Sequence, residues 1–157
     1  MSHVVHSEVL IKDIEALRSA VAALDCAMVA KKTYNWYGQH VGDYPMPKGM
    51  TADQLGKCEF AIQVPGARYE VGVVKSDKGY TLAWDFYGGD TTEWKQGHHG
   101  YQIHDGQKLL KKFGDKLSIL QQQYSKHVVL KQAKAAGYFV SQKVTATGAI
   151  KLQLVKA

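Results

Sequence analysis

The chain predicts an α+β fold, a mainly antiparallel sheet with helices on one face, and three observations carry that prediction. Three short apolar runs, CEFAIQV, YEVGVVK and YTLAWDF, follow one another with turn residues between them. Residues 106–136 place Leu110, Phe113, Leu117, Leu120, Tyr124 and Val128 three or four apart, the spacing of one helical face. The chain then closes on YFVSQKVT and AIKLQLVK around Ala146, Thr147 and Gly148, the pattern of a hairpin.

Taken in order, alternation from His3 to Ile11 predicts a first strand. Asp13 is placed to cap a helix whose inner face carries Ile14, Leu17, Val21 and Leu24. The three runs form a meander, turned at Pro65, Gly66 and Ala67 and again at Ser76, Asp77, Lys78 and Gly79. Alternation puts Cys58, Phe60, Ile62, Val64, Tyr69, Val71, Val73, Tyr80, Leu82, Trp84 and Phe86 toward a common cover, with Asp85 on the solvated side. The long helical segment is that cover; Gly114 bends or breaks it, and Gly137 stops it. The order is strand, helix, three-strand meander, long helix and hairpin. The three meander strands and the closing hairpin join one sheet in a single domain spanning residues 1–157, from which residues 31–57 and 87–105 depart as aromatic- and glycine-rich loops.

At 157 residues with 45% hydrophobic content, the chain can bury an ordinary core. No run approaches a membrane span, and MSHVVHSEVL lacks the basic start and apolar stretch of a secretory signal, so no membrane partner and a cytoplasmic location are expected. Cys26 and Cys58 stand alone, which argues against a disulfide framework. Charge is uneven. Residues 104–157 hold ten lysines and two acids, net +8, while residues 1–103 hold ten basic and twelve acidic side chains, net −2. Such a field attracts phosphate-bearing partners.

MSH at the start, IEALRSAVAAL, GYTLAWD and QQQYSKHVVLKQAKAAGYFVSQKVTATGAIKLQLV resemble a family of small proteins of unknown function. That family includes the plastid hypothetical chloroplast reading frame thirty-five proteins, with cyanobacterial and bacteriophage relatives. The resemblance is clearest over residues 115–157 and rests on Tyr124, His127, Ala133, Gly137 and Gly148, with Ser2 and His3 at the other end. The insertion between Trp84 and the long helix is longer than the family pattern. The resemblance implies a compact α+β fold and no established activity; the bacteriophage branch implies the host cytoplasm and sequestration of a host nucleotide signal.

Two stretches could carry chemistry. EWKQGHHGYQIHD offers His98, His99, His104 and Asp105, atom types suited to zinc, yet adjacent histidines on an irregular loop point apart and no HxH or HExxH fixes them. No metal site is expected there. No nucleophile elbow, Walker loop or paired carboxylate accompanies the histidines, so no catalytic residue is assigned and no cofactor is implied. TYNWYGQH places Trp36, Tyr37 and His40 where aromatic rings could stack on a base, with Lys31, Lys32 or Arg68 meeting phosphate. His98, His99 and Tyr101 complete a candidate pocket, and Lys108 and Lys111 follow a helix start that favours an anion. His3 and His127 belong to the fold.

Three function classes stay open. The preferred one is a non-enzymatic binding protein for a small anionic ligand such as a nucleotide. The second is a nucleic-acid-binding module using Lys108, Lys112 and Lys126, and the third a histidine-dependent hydrolase. Self-association into a homo-oligomer remains open alongside all three.

Overall fold

The computed structural model describes residues 4–7, 9–36, 55–85 and 105–156, and the fold within them is α+β. β1 (Val4–His6) leads, through a bridge between Ile11 and Tyr80, to α1 (Ile14–Ala23). Asp13 caps α1 as its position predicts: it is extended, and its Oδ1 accepts the Ala16 amide at 3.0 Å. β2 (Ala27–Ala30), β3 (Phe60–Gln63), β4 (Glu70–Ser76) and β5 (Gly79–Asp85) complete an antiparallel five-stranded sheet in the order β1-β5-β4-β3-β2. The meander is the predicted one. β2 is additional, an edge strand of four residues formed by pairing with β3.

The long helical segment divides into α2 (Asp105–Phe113) and α3 (Ser118–Ala135), joined by a 3-10 turn at Asp115–Leu117. Gly114 starts the break at φ 77°, where a Cβ would be strained, and Lys116 and Leu117 follow at φ 52° and 57°. Left-handed backbone at a residue such as Leu117 costs roughly 1–2 kcal/mol. Its side chain is fully buried, which returns about 1.5–3 kcal/mol and holds the break in place. The register turns Phe60, Ile62, Val71, Val73, Leu82 and Trp84 toward the helices. There they meet Leu17 and Val21 of α1 and Leu109, Phe113, Leu117 and Leu120 from the second helical segment. Both helical layers thus lie on one face, as expected.

Three expectations are corrected. The opposite face is covered too. Ala61, Gly72 and Ala83 stand side by side in the register as a strip of small residues, and the Tyr34 ring lies on it so closely that a methyl group at Gly72 would overlap the ring. Val4, Tyr34, Ala61 and Ala83 form a second cluster, flanked by Val29, Trp36, Leu55 and Cys58. Asp85, expected to be solvated, is therefore only 1% exposed, and Cys58 packs on this second cluster instead of under the helices. The closing hairpin, β6 (Tyr138–Val144) and β7 (Ile150–Lys156), is a separate two-stranded sheet. β1 already occupies the place beside β5, and the turn after α3 sends the hairpin back along that helix, where Gln122 Nε2 donates to the Gly148 carbonyl at 3.4 Å. Phe86 lies outside the described residues, among which no helix is long and apolar enough to cross a membrane.

Candidate ligand cleft

At the end of the sheet where β2 begins, β3 ends and β4 begins, a cleft of about 650 Å³ opens. Cys26, Val64, Pro65 and Ala67 supply its apolar wall. Asp25, Asn35, Gln63, Arg68 and Glu70 supply its polar groups. Arg68 sits on the connection between β3 and β4, whose turn is steadied from outside: Lys108 Nζ donates to the Gly66 carbonyl at 2.6 Å, joining α2 to it.

Glu70 is the structural pivot. Its side chain is almost wholly buried, and it accepts from Lys31 Nζ at 2.6 Å, the Asn35 amide at 2.8 Å and Gln63 Nε2 at 2.8 Å. The Glu70 amide in turn donates to the Asn35 carbonyl at 2.9 Å, so the segment carrying Tyr34, Asn35 and Trp36 is fastened to β4 in both directions. Burial pushes the Glu70 carboxyl up, but the Lys31 ammonium and the amide donors outweigh it and hold the group below its ordinary value. The acid stays ionised and fully engaged. Its charge is balanced by Lys31, and Arg68 lines the cleft on the β3–β4 side.

The thiols behave differently. Burial raises the Cys26 pKa despite Lys112, and burial with the Glu70 charge pushes Cys58 up to about 11 against the pull of Lys31. Both are protonated thiols at neutral pH. Among the described residues no three His, Cys, Asp or Glu side chains gather where they could hold a metal ion.

The residues expected at the site divide into three groups. Arg68 lines the cleft. Trp36 neighbours the cleft-lining Asn35 in sequence, but its indole rests against Gly56 within the second apolar cluster; Lys108 is tied to Gly66, and Lys111 is exposed on α2. Tyr37, His40, His98, His99, His104 and Tyr101 lie outside the described residues. Lys31, considered as a phosphate contact, is committed to Glu70. His127 is half-buried, with its pKa lowered by burial and then by Lys126, consistent with a place in the fold.

Sequence reasoning passed over Asp25, Gln63 and Glu70. An available signal was Glu70 on the face that also carries Gly72: an acid beside a strip of very small residues marks a place where another segment comes down on the sheet and can bring a partner for the charge. No family model, curated protein or solved structure matches this chain.

Proposed function

We propose that the protein is a non-catalytic binding protein for a small anionic ligand of mononucleotide size, held in the cleft beside Arg68. The observation that carries this reading is the composition of the cleft: one guanidinium, two side-chain amides, the Asp25 carboxylate, a Glu70 carboxylate already paired with Lys31, and an apolar wall around about 650 Å³. Small-molecule sites commonly enclose about 300–1,000 Å³, mostly apolar with a few convergent polar groups. A guanidinium matches phosphate or carboxylate through paired donors. Asp25, in the turn before β2, would repel a phosphate beside it, so the anion belongs at the Arg68 end. Binding is favoured over turnover because acid–base catalysis needs a group that titrates near neutrality. In the cleft, Glu70 is held ionised and Cys26 is held protonated.

Isothermal titration with adenosine and guanosine mono-, di- and cyclic phosphates tests this reading. At least one is expected to bind with a shallow salt dependence, and Arg68→Ala to weaken it tenfold or more in a chain whose circular dichroism shows it still folded. Absence of binding by every nucleotide at millimolar concentration, or an affinity indifferent to both Arg68→Ala and Asn35→Ala, would refute it.

A further inference from the structure

The C-terminal hairpin is chemically unlike the rest of the molecule. From Ser118 to Ala157 the chain has six lysines and no aspartate or glutamate. The register sorts the hairpin into two faces. Val140, Ile150 and Leu152 share one and are half-buried, which makes it the face turned toward α3. The other presents three cross-strand pairs, Phe139 with Val155, Ser141 with Gln153 and Lys143 with Lys151, and all six residues are exposed. Phe139 is 70% exposed and Val155 52%.

Neither end of that outer face makes sense for the isolated chain. A phenylalanine left in water forfeits the burial that rewards it elsewhere. Two lysines placed directly opposite across a strand pair repel one another, a destabilising arrangement. Both are relieved by one occupant with negative charge and flat apolar surfaces. We infer that the outer face of the β6–β7 hairpin is a docking surface for single-stranded nucleic acid, with a base stacked on Phe139 and the backbone phosphate held between Lys143 and Lys151.

The geometry suits such a strand. Lys143 lies four positions beyond Phe139, about 13 Å along an extended chain, so the aromatic and cationic ends address a short run of nucleotides. Ser141 and Gln153 lie between them and offer hydrogen bonds. A duplex keeps its base faces stacked and gives Phe139 nothing to stack on, whereas a single strand exposes them. A second copy of this chain would bring its own acid-free hairpin, and two such surfaces repel. This surface is separate from the cleft, and the inference does not rest on the cleft reading.

Fluorescence anisotropy with a dye-labelled oligodeoxythymidine, titrated with the full chain at several salt concentrations, tests it. Phe139→Ala is expected to weaken binding about five- to hundredfold, the factor that corresponds to loss of one base–aromatic stack. The pair Lys143→Gln and Lys151→Gln should reduce the slope of log affinity against log salt by about 0.7, the one single-strand phosphate they hold. All three positions are exposed, so thermal unfolding should be unchanged and serves as the folding control. No binding at low salt overturns the inference, and so does binding that ignores both substitutions. Equal affinity for duplex and single strand with Phe139→Ala silent also overturns it. A chain that light scattering shows to be a dimer, converted to monomer by Phe139→Ala with oligonucleotide affinity intact, would identify a second copy as the occupant instead.

Discussion

Replacing Tyr124 by phenylalanine removes one oxygen and leaves the ring in place, yet the structure assigns that oxygen an unusual task. Tyr124 is 8% exposed on α3, and its hydroxyl accepts two backbone amides, Lys12 at 3.1 Å and Asp13 at 3.2 Å, more than a hundred residues away in sequence. Both donors belong to the segment that enters α1, Asp13 being its N-cap. A net hydrogen bond contributes about 1 kcal/mol, and a donor left buried without a partner costs about 1–3 kcal/mol. These amides are only partly buried, so water recovers some of the loss, and we expect Tyr124→Phe to destabilise by about 2 kcal/mol. For a domain of this length each kcal/mol lowers Tm by roughly 2–4 °C, a drop of about 4–8 °C. The neighbouring ion pair between Lys131 and Asp13, at 2.7 Å, ties the same two elements. Because the Lys131 side chain is 58% exposed, its removal should cost no more than about 1 kcal/mol. Urea unfolding followed by circular dichroism measures both. A Tyr124→Phe midpoint equal to wild type at unchanged slope would show that water satisfies the amides and that the tyrosine does not hold the helices together.

Two further outcomes follow from the buried polar groups. With its pKa at about 11 against an ordinary 9.0, Cys58 should react with iodoacetamide at neutral pH about a hundredfold more slowly than a free thiol, as measured by mass spectrometry of the native protein; rapid labelling would mean the thiol is not shielded. Acid should destabilise the fold in two stages. His6 and His127 have folded values below 6.5, so the unfolded chain takes up protons first and stability declines as pH falls past 6.5. Glu70, held below 4.5, contributes stability above that value which is lost as pH falls through its folded pKa, so Glu70→Gln should lower Tm at pH 7 and flatten the decline below pH 4.5. A variant whose Tm–pH curve parallels wild type would refute the role of the Lys31 pair.

The parts of the fold legible in the sequence are those signalled locally. Asp13 announces α1, turn residues separate β3, β4 and β5, and Gly114 interrupts the long helix, each through conformational preferences that act within a few residues. The parts that were not legible depend on remote partners. β2 is only four residues, and nothing but its pairing with β3 makes it a strand. Ala61, Gly72 and Ala83 alternate with larger residues and so resemble a solvent face; they are small because Tyr34 lies on them. Glu70 likewise looks solvated until Lys31, thirty-nine positions earlier, is brought beside it. Alternation marks β6 and β7 as strands but is the same whichever sheet they join. For the cleft, Arg68 was legible as the arginine beside the predicted turn and Asn35 lay within the TYNWYGQH stretch, while Gln63 was obscured because an amide carries no periodic signal of its own.

An acid-free stretch of forty residues with six lysines is a modest burden on folding, because salt screens like charges and one of the lysines is paired. At physiological salt, charges farther apart than about 8 Å are largely screened from one another. Lys131 is neutralised by Asp13, and Lys143 and Lys151 are the pair that the register sets opposite each other. The repulsion endured by the folded chain is therefore local and small, a few tenths of a kcal/mol for a cross-strand pair. A polyanion responds differently. Each phosphate that meets a lysine releases condensed counterions, and those releases add along the strand instead of being screened away. The same distribution of charge is thus nearly neutral for folding and cumulative for binding, which is the asymmetry a nucleic-acid surface requires and a merely solubilising surface, served equally well by interspersed acids, does not.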